Sequence, residues 1–225
     1  MEVKEYDIEK RWESKRESIY SLGGNIERLK RTVRADLDSS DEATKLTAVV
    51  IRIMMSTSER IGNEESARNG HFGITGFKKK HISVNGNKIN LDYVGKSGVE
   101  HEKCFSDEKV ASILKRLLKR KSEYVFTTED GFRIKADKVN RYLKRFDAKS
   151  KDIRGFNSNR MMILELNKYG YVKEEKDRKK IFNESLRKVA SKIGHGAPTL
   201  RKQYLLPEIE EQFYKNGKIN KKVSI

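Results

Sequence analysis

The sequence predicts a mainly α-helical chain with one small antiparallel β-sheet set into it, an α+β arrangement. Three observations predict this. Apolar residues recur at steps of three and four through most of the chain. One stretch, from about residue 73 to 105, switches to alternating and β-branched segments. The only two prolines of the 225 residues, Pro198 and Pro207, lie near the C-terminus, so little interrupts helix formation before them.

The elements follow in order. Residues 8–21 carry charge between Ile8, Trp12, Ile19 and Tyr20 and read as a short amphipathic helix, which Gly23-Gly24 is expected to break. From Asn25 the residues Ile26, Leu29, Val33 and Leu37 restart the helical period. Asp38-Ser39-Ser40-Asp41 supplies a turn and an N-cap for a helix to about Thr57, with Leu46, Val49, Val50, Ile53 and Met54 inside. These residues, 1–57, are expected to form an N-terminal helical part, and 58–225 the remainder that carries the sheet. Strand candidates are Ile74-Thr75, His81 to Val84, Ile89 to Val94 and His101 to Phe105, about three of which are expected to pair. Asn85-Gly86 is a hairpin signal because both positions tolerate positive φ, and Gly95-Lys96-Ser97-Gly98 reads as a second tight turn. Helical periodicity returns at Asp107–Leu118, near Asp137–Phe146 and from about Asp152 to Asn167. A lysine-rich stretch, Lys173 to Lys180, precedes a helix to about Ile193, and Thr199 to Tyr214 looks helical with a break at Pro207.

Charge narrows the function classes. Fifty Lys and Arg against 33 Asp and Glu leave a formal net charge of +17, a surplus that captures polyanions. Nucleic acids are the leading partners, since each phosphate contact releases condensed cations. No apolar run approaches the roughly 20 residues that span a bilayer, so no membrane partner is expected. Cys104 is the single cysteine, which rules out an intramolecular disulfide and fits a reducing compartment.

Five residues with their neighbours carry the chemical signal. Arg60 lies in Ser58-Glu59-Arg60-Ile61-Gly62-Asn63-Glu64, Lys96 on its turn, and Arg154 in Lys151-Asp152-Ile153-Arg154. Gly194-His195 stands nine positions before Tyr204, with Arg201 and Lys202 between. Singly each reads as a surface charge, a cap partner or a core residue. Together, and in this order, they resemble the type IB DNA topoisomerases of the poxvirus and bacterial kind. Arg60 to Glu65, followed by Gly73-Ile74-Thr75 and Lys80-His81-Ile82, resembles that family's arginine motif and the strand after it. Val94 to Gly98 with His101 resembles its lysine hairpin, Lys151 to Arg154 its second arginine motif, and Gly194-His195 with Pro198 and Tyr204 its nucleophile segment. Trp12 to Asp36 is similar to the helices that lead into the bacterial catalytic domain.

The resemblance implies the catalytic fold shared by type IB topoisomerases and tyrosine recombinases, and a metal-free, cofactor-free cleavage and rejoining of one strand of double-stranded DNA. Tyr204 would be the nucleophile and Lys96 the general acid for the departing 5′ oxygen. Arg60, Arg154 and His195 would donate to the phosphate, whose added transition-state charge fixed donors stabilise. Lys151 and Asn159 match positions that help to hold the DNA backbone. Arg201, Lys202 and Lys80 are expected to add phosphate contacts, which position a duplex without reading its sequence. Glu64-Glu65 and Glu208-Glu210-Glu211 read as solvated helix surface rather than metal ligands. The expected protein is a monomer, cytoplasmic and associated with nucleoid or viral DNA.

Two departures stand out. Only about 25 residues precede the second helix, too few for the β-rich N-terminal domain of the family, so weaker and more salt-sensitive DNA binding is expected. Ser66 stands where the bacterial form favours tyrosine, and Gly155-Phe156-Asn157-Ser158 differs from the aromatic-rich family version. A tyrosine recombinase is the nearest alternative, although it usually shows His-x-x-Arg where this chain has Lys151 to Arg154. A non-catalytic DNA-binding module is the second.

Overall fold

The computed structural model describes residues 2–220, except the side chains of residues 2–9 and Arg11. The expected inward face at Ile8 lies outside the described residues. The helices are α1 (Glu2–Asp36), α2 (Glu42–Thr57), α3 (Glu64–Arg68), α4 (Glu108–Leu117), α5 (Ala136–Lys144), α6 (Ser150–Asn167), α7 (Glu175–Ile193), α8 (Ala197–Gln203) and α9 (Pro207–Asn216). The strands are β1 (Ile82–Asn85), β2 (Lys88–Val94) and β3 (Glu100–Ser106), hydrogen-bonded in that order as one antiparallel sheet. The predicted class, mainly helical with a small antiparallel sheet, holds.

Three expectations fail locally. Gly23-Gly24 does not break the first helix, and α1 runs through both residues. A glycine inside a helix costs about 1 kcal/mol relative to alanine. Ile19, Leu22, Leu29 and Val33, each no more than 1% exposed, keep one apolar face on either side of the pair. Full burial of such a side chain contributes about 1.5–3 kcal/mol, so the face outweighs the two glycines. The segment Ile74-Thr75 is not a strand either. Ile74–Gly76 is a 3₁₀ turn whose backbone is taken by the Arg60 segment: Ile74 N donates to Arg60 O at 3.0 Å, and Thr75 N to Ile61 O at 2.9 Å. The two segments touch at paired glycines. A Cβ on Gly73 would lie 2.4 Å from Gly62 N, and Gly62 itself has φ +84°. A second 3₁₀ turn, Lys79–His81, delays the first strand to Ile82.

The chain divides into two compact units. One comprises Met1–Gly24 with Asp152–Ile225; its core includes Ile19, Leu22, Ile153, Phe156, Phe182, Leu200, Leu206 and Phe213. The other is Asn25–Lys151, with a core of Leu46, Val50, Ile53, Phe77, Ile89, Leu91, Leu114, Phe126 and Leu143. In that second unit Asp41 caps α2 by accepting from Thr44 N at 2.9 Å, and Asp107 caps α4 through Val110 N at 3.0 Å. Strand β2 alternates inward Ile89, Leu91 and Tyr93 with outward neighbours, the period-two pattern that seats one face of the sheet on the core. No described helix is long and apolar enough to cross a membrane.

Candidate active site

In the unit of Met1–Gly24 and Asp152–Ile225, three of the five expected residues come together. Arg154 sits in the first turns of α6 and is 3% exposed. Its Nη2 donates to Ile193 O, the last residue of α7, at 2.9 Å, and lies 2.9 Å from His195 Nε2. A guanidinium has only donors, so His195 Nε2 accepts in this contact and carries no proton there. The His195 ring stacks on Tyr204, with centroids 5.0 Å apart and planes at 27°. The Arg154 guanidinium carbon lies 5.7 Å from the centre of the Tyr204 ring. Gly194, in the left-handed region at φ +79°, ends α7 and turns the chain to bring His195 to this place.

The segment around Tyr204 is held by its backbone. Tyr204 closes α8, its N–H donating to Leu200 O at 3.0 Å, and Pro207 opens α9 three residues later. Asn159, expected at the DNA backbone, is wholly buried instead. Its Nδ2 donates to Gly155 O and to Tyr204 O, each at 2.8 Å, and its Oδ1 accepts from Leu206 N at 2.8 Å. Both ends of the amide are spent on protein, which leaves none for a phosphate. In this structure Asn159 clamps the chain around Tyr204 instead of standing at an exposed surface.

Residue 203 and residue 208, on either side of that clamp, meet α1. Lys15 Nζ donates to Gln203 O, and Arg16 pairs with Glu208, Nε to Oε1 at 2.9 Å. Glu210 pairs with Arg201, whose Nε donates to Oε2 at 2.8 Å, and this bond raises the arginine pKa above its usual value. Glu208 and Glu210, read from sequence as plain solvated surface, thus hold basic side chains. Arg201 stays half exposed while its Nε and Nη2 face Glu210. Lys202 is exposed.

Arg60, Lys96, Lys80 and Lys151 lie in the Asn25–Lys151 unit. Arg60 is half-buried just after α2, which ends at Ser58 in the left-handed region, φ +61°. Lys96 is exposed on the turn between β2 and β3. That turn closes through Gly95 N to Val99 O at 2.7 Å, with Ser97 at φ +64° and Gly98 at φ +74°. Lys80 and Lys151 are exposed.

The sequence of residues 4–223 matches the family described as the catalytic core of eukaryotic DNA topoisomerase I. The chain belongs to the DNA topoisomerase I catalytic-core family. A curated relative, DNA topoisomerase 1B of Acanthamoeba polyphaga mimivirus, is 25% identical over 187 residues, covering 76% of this chain. The chain spans 56% of the length of that topoisomerase. Among solved structures, XerH site-specific recombinase bound to difH substrate, in a pre-cleavage complex, is 14% identical with a TM-score of 0.46, over 87% of this chain and 52% of that one. Its post-cleavage complex on a palindromic difH substrate gives 14% and 0.47, over 87% and 49%.

Within this topoisomerase core one cluster escaped the sequence reading. Glu59, beside Arg60, is 1% exposed and engages Tyr93 and His101, which lie 34 and 42 residues away. No local spacing announces such partners. The one available signal was an acidic residue two positions past the end of an apolar helix.

Proposed function

We propose that this chain is the catalytic core of a type IB DNA topoisomerase, which relaxes supercoiled double-stranded DNA by cutting and rejoining one strand through a 3′-phosphotyrosyl bond. The observation that carries this reading is the cluster of Arg154, His195 and Tyr204, with Asn159 holding the backbone at the tyrosine. A buried arginine aimed at a half-exposed tyrosine ring suits a reaction in which a phenol meets an anionic phosphate.

In the reaction, Tyr204 Oη attacks phosphorus and gives its proton to solvent. The bond from phosphorus to the 5′ oxygen breaks, and that oxygen takes a proton from Lys96 Nζ. The phosphate remains on the tyrosine as a diester, so the bond energy is kept and religation needs no ATP. Attack by the 5′ hydroxyl reverses each step. Arg60 and Arg154 offer permanently charged, forked donors to the non-bridging oxygens, where charge grows in the transition state. They supply the positive charge that other phosphoryl-transfer enzymes take from a metal. For His195 to donate to the phosphate, its contact with Arg154 must open and Nε2 must gain a proton. The incoming anion favours the opening, since it offers Arg154 a better partner. Lys80, Lys151, Arg201 and Lys202 serve as phosphate contacts that hold the duplex without reading it.

The test is relaxation of a supercoiled plasmid in EDTA without nucleotide. The expected result is a ladder of topoisomers collapsing to relaxed circles. Joining of two duplexes at a fixed site without relaxation would instead make the chain a recombinase, and binding without either outcome would make it a DNA-binding module.

A further inference from the structure

Buried carboxylates persist only where other groups compensate the loss of water. Glu59 is 1% exposed, and it spends both oxygens on one hairpin. Tyr93 Oη donates to Oε2, while Oε1 lies 3.2 Å from His101 Nδ1 and 3.6 Å from Lys103 Nζ. Tyr93 and His101 face each other across β2 and β3, and their rings stack at 5.0 Å and 11°. They are the inward pair at the base of the turn that carries Lys96. The other edge of His101 packs against Gly95, where a Cβ would stand 2.7 Å from Cδ2 and Nε2. Only glycine lets the imidazole sit so close to the backbone next to Lys96. Phe72 N donates to Val94 O at 2.8 Å, which ties the same strand end to the return of the Arg60 segment.

We propose that Glu59 is a positioning residue for Lys96, acting through Tyr93 and His101 to set the angle of the β2–β3 turn. The proposal rests on the reading of Lys96 as general acid. The tip of the turn is exposed from Lys96 to Glu100, so its own side chains do little to fix it. Its direction comes from the base, and the base is fixed by hydrogen bonds, which are directional where apolar packing is not. Glu59 also adjoins Arg60 in the chain, so one buried carboxylate links the two catalytic candidates of this unit.

Two measurements on the full chain test this. The first compares single-turnover cleavage of a duplex with an ordinary 5′ oxygen and of one with a 5′-bridging sulfur, whose departure needs no proton. Glu59→Leu and His101→Ala are expected to slow the oxygen substrate by roughly ten- to a hundredfold. Both are expected to cut the sulfur substrate near the wild-type rate, with Glu59→Gln between them and wild type on oxygen. The second follows tryptic nicking after Lys96, mapped by mass spectrometry, with thermal melting as a control on overall stability. Glu59→Leu should raise nicking there several-fold at a temperature where it remains folded; if it does not fold, Glu59→Gln takes its place. Equal slowing of both substrates, or no slowing of either, overturns the proposal, as does unchanged nicking. A wild-type chain that cuts neither substrate would defeat the acid role of Lys96, and the nicking comparison would still decide whether Glu59 holds the turn.

Discussion

The proposed nucleophile and the proposed acid are held in opposite ways. Tyr204 is half-buried, stacked on His195, and its own backbone is fastened by Asn159 and by the end of α8. Lys96 stands in solvent on a turn tip, and the fixed groups lie beneath it at Tyr93, His101 and Glu59. The difference matches the two tasks. A nucleophile must meet phosphorus in line, so its freedom is removed locally. An acid must reach a leaving group presented by DNA, so a long side chain on a directed base is sufficient.

The largest effect should come from Tyr204→Phe, which is expected to abolish covalent adducts while leaving stability within about 0.5 kcal/mol. Adducts that survive this change would move the nucleophile elsewhere. Next come the two cations, which should behave differently. Arg154→Ala is expected to slow cleavage by roughly 10²–10³-fold. It should also lower the melting temperature, because the buried Ile193 carbonyl loses its donor. Lys96→Ala is expected to slow cleavage by roughly 10²–10⁴-fold with no change in melting, and a 5′-thiolate substrate should restore its rate. A matched loss of stability in both variants would erase the contrast.

Asn159→Ala sharpens the comparison at lower amplitude. Removing the amide leaves Leu206 N and Tyr204 O without that partner, which should cost about 1–3 kcal/mol of stability. Cleavage should slow by roughly ten- to a hundredfold through a misplaced phenol, with noncovalent DNA affinity unchanged. A phosphate contact would do the reverse, weakening binding and reducing its salt dependence.

The smallest effect is a pH response of the sheet. Burial, then the charges of Lys80 and Lys78, hold the His81 pKa below its usual 6.5, and its Nδ1 accepts from Lys78 N at 3.1 Å. The unfolded chain therefore takes up this proton first as pH falls. The stabilisation is complete above about pH 6.5 and declines below it until the folded value is passed. Melting temperature should drop as pH falls below about 6.5, and His81→Asn should flatten that drop. An unchanged slope would show that His81 does not govern the start of β1.

Much of this was legible in the sequence. The 3.6-residue period located α2 and α4 to α6, and Asn85-Gly86 located the first hairpin, because those signals are local; α7 begins at Glu175, inside the lysine-rich stretch expected to precede it. The glycine pair in α1 misled because burial of Leu22 and Leu29 is a tertiary gain that no local propensity contains. Ile74-Thr75 misled because its hydrogen-bond partners are Arg60 and Ile61 rather than a neighbouring strand. Asn159 was found by its place beside Arg154, but its task was not, since only the fold brings it to the Tyr204 carbonyl. Glu59 was invisible for the same reason.

The phosphotyrosyl bond proposed at Tyr204 is tested by mass-spectrometric mapping of the adduct trapped by denaturing a cleavage reaction on end-labelled duplex. The expected product is one tryptic peptide containing Tyr204, joined to the 3′ end of the cut strand, with a free 5′ hydroxyl released. An adduct on a different residue, or on a 5′ phosphate, would contradict it.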